Sequence, residues 1–136
     1  MKNKAEVYFA LKGEDFDPDS FTVESGLKPT KSWQKGEKGR YVEHYRFGYW
    51  QIGEEAVEGE TVLVDEIADK LIKRIEEKKE VIREFIDRHS LYAALVVVLH
   101  ISMNEQTSTP ALGFNTSTIQ FLNFVKAEID VDIYRN

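Results

Sequence analysis

The sequence predicts an α+β fold, a ferredoxin-like four-stranded sheet built from two β-α-β halves, with a long helix inserted between strands two and three. Residues 92–103 are apolar at nearly every position and rich in β-branched side chains, which is typical of a central strand covered on both faces. Three other stretches have strand composition, and helical patterns separate them. The 136 residues suffice for one core, so we expect a single domain over residues 1–136.

The first strand and the first helix follow from local signals. Residues 5–11 alternate between a strongly apolar face and a second face, which predicts a strand. Asp17 can accept hydrogen bonds from free backbone amides, and Pro18 suits the first helical position. Gly26 is a typical helix stop, so we predict a short helix over residues 18–25.

The second strand is predicted over residues 41–52, where Gly48 indicates a bulge that changes the face of the residues after it. On that interpretation four large side chains point into the core, namely Tyr45, Phe47, Trp50 and Ile52. The acidic stretch 54–60 is interpreted as a connection.

The long helix is predicted over residues 65–87, which carry apolar side chains at helical spacing. The charged run 76–80 separates two apolar clusters, so the stretch is either one helix or two helices with a kink near Lys78. The strand over residues 92–103 follows it.

The C-terminal part is predicted to contain a polar loop, a helix and a strand. Residues 104–113 form the loop, and either Asn115 or Ser117 caps a helix that runs to about Phe124, the serine in a capping box. The core face of this helix is predicted to consist of Ile119, Leu122 and Val125. The last strand, over residues 127–134, places apolar side chains inward and acidic ones outward: Ile129, Val131 and Ile133 against Glu128, Asp130 and Asp132.

The two halves also align with each other at one constant offset, which indicates an internal duplication. The aligned positions are Phe16-Asp17 with Phe114-Asn115, Phe21 with Ile119, and Leu27 with Val125. A duplicated fold places the first and third strands centrally and the other two at the edges. The long helix then covers the second face of the sheet and gives three layers, or two subunits pair through that face. The acidic row of the last strand protects its edge from pairing with another chain.

Composition and charge exclude several classes of function. The formal net charge of −6 argues against binding to nucleic acid or to an anionic membrane surface. Without cysteine there is no disulfide framework and no thiol chemistry. The first apolar run is broken at Lys12, too early for a signal peptide, and no run reaches the length of a membrane span. We therefore expect a cytoplasmic protein.

No sequence motif for catalysis, phosphate binding or metal binding is present, so we predict a protein that is not an enzyme and that has no catalytic residue, cofactor or metal. The three histidines lie in separate predicted elements, and His100 is more typical of a hydrogen-bonded core or near-surface residue than of a metal ligand. The acidic residues of the last strand could hold a cation, but carboxylates that alternate along a strand do not converge, which favours a solvated edge.

The best candidate site is the loop over residues 28–40, which wraps five basic side chains around Trp33. Such a loop can grip an anionic small molecule or an acidic patch on a partner, with Trp33 as a stacking or anchoring surface. The simpler interpretation is that the lysines are solvated and that Trp33 closes the end of the core. The aromatic residues between positions 41 and 50 cannot all be buried, so they present some surface as well. The candidate binding residues are Lys28, Pro29, Thr30, Lys31, Trp33, Lys35, Gly36, Arg40, Tyr49 and Trp50.

Three motifs, together with the last strand, resemble a bacterial family of domains of unknown function, number 4279. The motifs are Phe16-Asp17-Pro18-Asp19, then Leu27-Lys28-Pro29-Thr30-Lys31-Ser32-Trp33 with Gly36, and Gly48-Tyr49-Trp50, followed by the closing stretch 127–134. The resemblance covers nearly the whole chain and carries over no activity. It implies only an association, because small acidic bacterial domains of this kind are suspected of serving as immunity or accessory partners of toxins.

Two functions remain open on these observations. The first is a non-enzymatic binding or accessory module that engages a protein partner, for instance as an immunity protein, through the basic Trp33 loop. The second is a sensor domain that binds a small anion or metabolite in the same loop and acts as a dimer. We expect a monomer or a homodimer.

Overall fold

The computed structural model describes residues 2–104 and 109–135, and in this part of the chain six strands form one sheet packed against four α-helices. The strands are β1 (Asn3–Gly13), β2 (Lys31–Trp33), β3 (Gly48–Gly53), β4 (Val57–Gly59), β5 (Tyr92–Ile101) and β6 (Glu128–Arg135). The helices are α1 (Pro18–Ser25), α2 (Val64–Ile75), α3 (Lys79–His89) and α4 (Thr116–Val125). The α+β class is therefore confirmed. None of the described helices is long and apolar enough to cross a bilayer.

The strand order is β2-β3-β1-β5-β6, with β4 paired to the start of β1. β1 is antiparallel to β3 and to β5, whereas β5 and β6 are parallel. The central positions predicted for β1 and β5 are correct, but the four-stranded ferredoxin-like topology is not confirmed, because the sheet has two further strands and a parallel pair. The stretches that form β2 and β4 were expected to be loop and connection, since strands of three residues are too short to show an alternating pattern.

All four helices pack on one face of the sheet. On that face Phe9 contacts Phe121 of α4, at 5.8 Å between ring centroids. Phe21 of α1 lies between Trp50 of β3 and Phe85 of α3, at 4.7 and 5.1 Å. One continuous apolar core includes residues of all four helices and of β1, β3 and β5. The predicted third layer is therefore wrong, because the apolar stripes of α2 and α3 are buried on the same side as α1 and α4.

Local signals placed α1 correctly, and the structure decides between the two alternatives left open for the long helix. The Asp17 side chain accepts a hydrogen bond from the Asp19 backbone N–H, Pro18 is the first helical residue, and Gly26 ends the helix with a φ of 72°. The long helical stretch is two helices, which a 3-10 turn over Glu76–Lys78 separates. The charged run thus coincides with the interruption.

The cap of α4 is Asn115, whose side chain accepts from the Thr118 N–H, and Ser117 is the second helical residue. The buried residues of this helix are Thr118, Phe121, Leu122 and Val125. Ile119 is 52% exposed, so its predicted core position is wrong. A helix that begins at Thr116 buries the i, i+3, i+4, i+7 series from Thr118, and Ile119 lies off that stripe.

The predicted duplication is not supported by the structure. The two capping positions do correspond, but the core position of Phe21 has an exposed counterpart in Ile119. The two β-α-β units also differ in direction, because β1 and β3 are antiparallel neighbours whereas β5 and β6 are parallel neighbours.

Gly48 is the first residue of β3 and causes no bulge, since β1 and β3 pair without interruption. A Cβ atom at this position would lie 2.2 Å from the Phe16 carbonyl oxygen, so glycine is required by a close backbone approach. Trp50 and Ile52 are buried in the core as predicted. Tyr45 and Phe47 are not, because without the bulge they lie on the opposite side of the hairpin, against Trp33.

At the edge of the sheet, the apolar row of β6 is only partly covered. Ile129 and Ile133 are in register with Leu95 and Leu99, which are buried under the helices. The two isoleucines are nevertheless 41% and 52% exposed. Their predicted inward face is correct in direction, but an edge strand with a neighbour on one side buries less of it.

Candidate recognition surface on the open face of the sheet

Among the described residues no helix covers the second face of the sheet, which we call the open face. Its side chains alternate with the core residues along the five main strands. They are Lys31, Trp33, Tyr49, Gln51, Lys4, Glu6, Tyr8, Ala10, Lys12, Tyr92, Ala94, Val96, Val98, His100, Glu128, Asp130, Asp132 and Tyr134. Four of the six tyrosines lie on these strands and Tyr45 packs against them, whereas phenylalanines fill the core on the other side. Tyrosine suits an uncovered face because it combines an aromatic ring with a polar hydroxyl.

The connection between β2 and β3 is an extension of their hairpin, which we call the arm (residues 34–47). Its two sides are held together by backbone hydrogen bonds. The Gly36 N–H donates to the Tyr45 carbonyl at 2.8 Å, the Tyr45 N–H to the Glu37 carbonyl at 2.9 Å, and the Gly39 N–H to the Val42 carbonyl at 3.2 Å. The stretch expected to be an irregular loop and the start of a strand therefore forms an ordered arm.

The base of the arm is closed by a stack of three aromatic rings. The Trp33 indole lies between Tyr45 and Tyr49, with centroid distances of 4.1 and 4.3 Å and interplanar angles of 14° and 16°. Both faces of the indole are thus occupied, so Trp33 cannot stack on a ligand as predicted. It does not close the end of the core either, because it lies on the open face. Its role is to hold the arm against β3.

The tip of the arm exposes side chains that are common in protein interfaces. Tyr41 is 89% exposed and Val42 is 48% exposed. The Arg40 guanidinium lies 5.5 Å from the centre of the Tyr41 ring, within range of a cation–π interaction. The tip therefore presents a large aromatic and a cation side by side.

The basic side chains of the arm and its approach have no anionic partner within 4.0 Å among the described residues. They are Lys28, Lys31, Lys35, Lys38, Arg40 and Arg46. The ion pairs that the structure shows all lie on or beside the helices, for example Arg74 with Glu54 at 2.9 Å and Arg83 with Asp87 at 3.1 Å. Positive charge is thus neutralised within the helical layer and left available on the arm.

The opposite end of the open face is acidic. Glu128, Asp130 and Asp132 of β6 lie in register with Ala94, Val96 and Val98 of β5. Burial raises the pKa of the Tyr8 hydroxyl, and the charges of Glu6, Asp132 and Asp130 raise it further. Burial also raises the pKa of Tyr92, with a further contribution from Glu128. The face therefore runs from a basic edge at β2 to an acidic edge at β6.

Tyr49 joins the aromatic stack to the centre of the face. Burial raises the pKa of its hydroxyl well above the usual 10.0, and the neighbouring Tyr8 and Glu6 add to this. The hydroxyl donates to the Gln51 Oε1 at 2.5 Å. A phenol held neutral and already hydrogen-bonded is suited to binding and not to proton transfer at neutral pH. Among the described residues, no group of three histidine or acidic side chains could hold a metal ion.

The structure brings most of the predicted binding residues together. Lys31, Trp33 and Tyr49 share the open face, Lys35, Gly36 and Arg40 lie on the arm, and Lys28 and Pro29 lead into β2. Thr30 is a structural residue, because its N–H and its hydroxyl both donate to the Gln51 carbonyl, at 2.8 and 3.1 Å.

The structure also contradicts the prediction that Trp50 is a binding residue. It is fully buried on the helical side, where its indole Nε1 donates to the Thr22 hydroxyl at 3.0 Å. Neighbours along a strand point to opposite faces, so Tyr49 and Trp50 cannot serve one surface. The sequence analysis missed three residues of the open face, Tyr8, Lys12 and Tyr92. Strand alternation identifies them once β1 and β5 are known to be neighbours.

Comparison with protein families finds one match. The family model described as "Domain of unknown function (DUF4279)" matches residues 3–136. Comparison with curated proteins and with solved structures finds no match.

Proposed function

We propose that this chain, which belongs to the family of domains of unknown function DUF4279, is a non-catalytic module that binds an acidic surface of a protein partner through its arm. The observation that carries the proposal is the exposed Tyr41 tip with Arg40 beside it, on an arm that a three-ring stack holds in place and whose cations have no ion pair among the described residues. An immunity or accessory protein of the bacterial cytoplasm is one form that such a module takes.

The arm is suited to binding because it is ordered before a partner arrives. The stack on Trp33 and the hydrogen bonds of Gly36 and Tyr45 fix its course. A partner then needs to order only the exposed side chains at the tip, which lowers the entropic cost of association. Tyrosine and arginine are the residue types that most often dominate the binding energy of protein interfaces.

The charge of the arm selects the chemistry of the partner. The chain as a whole has a formal net charge of −6, yet the arm carries Lys35, Lys38, Arg40 and Arg46 against Glu37 and Glu43. An acidic patch is attracted to the arm and repelled by the rest of the molecule, so the field orients the approach. The same overall charge disfavours nucleic acid as the partner.

Affinity capture with the full chain from lysate of its own organism tests the proposal, followed by calorimetry with the captured protein. We expect a partner that binds wild type in stoichiometric amounts and that is lost with the arm variants Tyr41→Ala and Arg40→Glu. Glu80→Lys is the matched control, because this exposed residue of α3 lies on the helical side of the molecule and has no ion pair among the described residues. Binding that both arm variants retain contradicts the proposal, and so does the absence of any stoichiometric partner.

A second candidate function is supported by a groove beside the arm. Its lining includes two cations, Lys35 and Arg46, one carboxylate, Glu43, and the aromatic rings of Trp33, Tyr45 and Phe47. We propose, as the alternative, that the groove holds a small anionic metabolite in a dimeric sensor. Saturating ligand should then stabilise the chain by about 2–4 kcal/mol in a thermal-shift screen of anions, and Arg46→Ala should abolish the shift. A chain that no anion stabilises contradicts this alternative.

A further inference from the structure

We infer that the outer edge of β6 is a docking site for an extended segment of a protein partner, which adds to the sheet as a further strand and alternates basic with apolar side chains. The inference goes beyond the role proposed for the arm, because β6 and the arm lie at opposite edges of the sheet. It rests on three properties of β6: its outer edge is unpaired among the described residues, its two rows of side chains differ in chemistry, and its charges disfavour pairing with a second copy.

The outer edge of β6 is long and uninterrupted. In the part of the chain that the structure describes, β5 is the one strand beside it, so β6 presents a row of N–H and C=O groups that no strand pairs. β6 has eight residues, whereas β2 at the other edge has three and leads into the arm. Its register with β5 is continuous, and it contains no proline. Such an edge offers main-chain hydrogen bonds to an added strand.

The open-face row of β6 selects basic side chains on the added segment. This row contains Glu128, Asp130 and Asp132, and all three side chains are exposed. Their neighbours in register on β5 are alanine and valine, which carry no charge. None of the three carboxylates has an ion pair among the described residues. Opposite charges across neighbouring strands are stabilising, so lysine or arginine at alternate positions of the segment complements this row.

The other row of β6 selects apolar side chains on the same segment. Ile129 and Ile133 point to the helical side of the sheet, yet both are exposed, and Val131 between them is only partly buried. Apolar side chains on an added strand would cover the two isoleucines, and removing their surface from water is favourable. Because the acidic and apolar residues alternate along β6, the side chains of the segment must alternate with the same period of two.

The acidic row also disfavours a second copy of this chain as the occupant. Opposed residues of an antiparallel pair lie on the same face of the sheet. Two β6 strands joined about a two-fold axis would therefore set Asp130 and the neighbouring carboxylates against the carboxylates of the other copy. Like charges directly opposite each other are destabilising. The edge thus discriminates against its own sequence and favours a basic strand.

Calorimetric titration of the full chain with a synthetic peptide tests the inference. The probe has the eight-residue length of β6, alternates lysine with valine and has capped ends. We expect it to bind about tenfold or more tightly than a peptide of the same composition in which all lysines precede the valines. Asp130→Lys should raise the dissociation constant of the probe about tenfold or more. Glu80→Lys, which changes the net charge equally but lies on α3, is the matched control.

Backbone methylation separates strand addition from charge attraction. Two further versions of the probe carry N-methyl groups on alternate residues, one version blocked along each edge, and we expect at least one of them to lose binding although both keep every charge. Hydrogen exchange should slow at amides of β6 when the unmodified probe binds.

Several outcomes overturn the inference. They are no binding of the probe up to about 1 mM, equal binding of the rearranged peptide, and equal binding of both methylated versions. Unweakened binding to Asp130→Lys overturns it as well, and so does slowed exchange that lies outside β6.

Discussion

Trp33 and Tyr45 lie face to face, with ring centroids 4.1 Å apart and planes inclined by 14°, although one belongs to β2 and the other to the returning side of the arm. This contact fixes where the arm leaves the sheet. Because Tyr49 occupies the second face of the indole, the arm and β3 are joined through a single side chain.

Replacing Trp33 with alanine should loosen the arm and leave the core intact. Loss of two aromatic contacts is expected to lower the free energy of unfolding by about 2 kcal/mol. Trp50→Ala, which empties a buried site, should cost about 4 kcal/mol. Urea denaturation measures both values, and hydrogen exchange at the Gly36 and Tyr45 amides should accelerate only in Trp33→Ala. Unchanged protection of those two amides would show that the stack does not hold the arm.

Gly48→Ala should destabilise the domain by about 3 kcal/mol, because the new methyl group meets the Phe16 carbonyl oxygen and backbone atoms cannot move aside cheaply. Gly113→Ala is the matched control, since a Cβ there meets no atom within 4 Å and the backbone φ is not in the left-handed region. We expect the control to be neutral or slightly stabilising. Equal losses in the two variants, measured by thermal unfolding, would contradict the close approach seen at Gly48.

Asp17 should contribute to the loss of folding stability at acid pH. A hydrogen bond from Gln34, at 2.7 Å, lowers the pKa of its carboxyl below the usual 3.8, and the Asp19 N–H adds to this. A lowered pKa favours the charged form in the folded state, so the contribution is present at neutral pH and is lost as the pH falls through the folded pKa.

Two substitutions at this position separate charge from capping. Asp17→Asn keeps a capping oxygen but cannot titrate. As the pH is lowered below about 5, the free energy of unfolding of this variant should therefore fall less steeply than that of wild type. Asp17→Ala removes the cap and should cost about 1 kcal/mol at pH 7. Denaturant titrations between pH 7 and pH 2 measure both effects. Parallel curves for wild type and Asp17→Asn would rule out a contribution from this carboxyl.

Tyr49 should make the domain sensitive to alkali. Because burial raises the pKa of its phenol, the neutral form is favoured in the folded state. The resulting stability is complete below pH 10 and is lost as the pH rises above it. Tyr49→Phe should therefore flatten the alkaline limb, and it should cost about 1 kcal/mol at pH 7 because the Gln51 side chain loses its donor. Tyr41→Phe, which removes an exposed hydroxyl at the arm tip, is the control. An alkaline limb that is the same in wild type and Tyr49→Phe would disprove the assignment.

The elements predicted well are those whose signals are local. Asp17, Pro18 and Gly26 act within a few residues of α1, and they do so whatever lies around the helix. The charged run near Lys78 left one helix and two helices equally open, and only the structure shows the interruption over Glu76–Lys78. For Gly48 the local signal was ambiguous, because a glycine in a strand is equally consistent with a bulge and with close backbone contact. Only the position of Phe16 decides between them.

The candidate site was only partly predicted, because its composition is visible in the sequence and its strand pairing is not. The basic composition of the arm is visible in the sequence, and so is the presence of Trp33 beside it. Which aromatic residues join Trp33 depends on the strand that pairs with β2 and on its register. Trp50 was grouped with Tyr49 because the two are adjacent in sequence, yet alternation places them on opposite faces of the sheet.

By itself, the sequence determines the α+β class, the central positions of β1 and β5, the limits of α1 and the excess of positive charge on the arm. Only the tertiary structure decides that all helices share one face, that β5 and β6 are parallel, and that tyrosines, cations and carboxylates gather on the face left open. The physical reason is that alternation and helical periodicity specify that an element has an apolar side, whereas the neighbour that covers this side is chosen by packing between residues far apart in the chain.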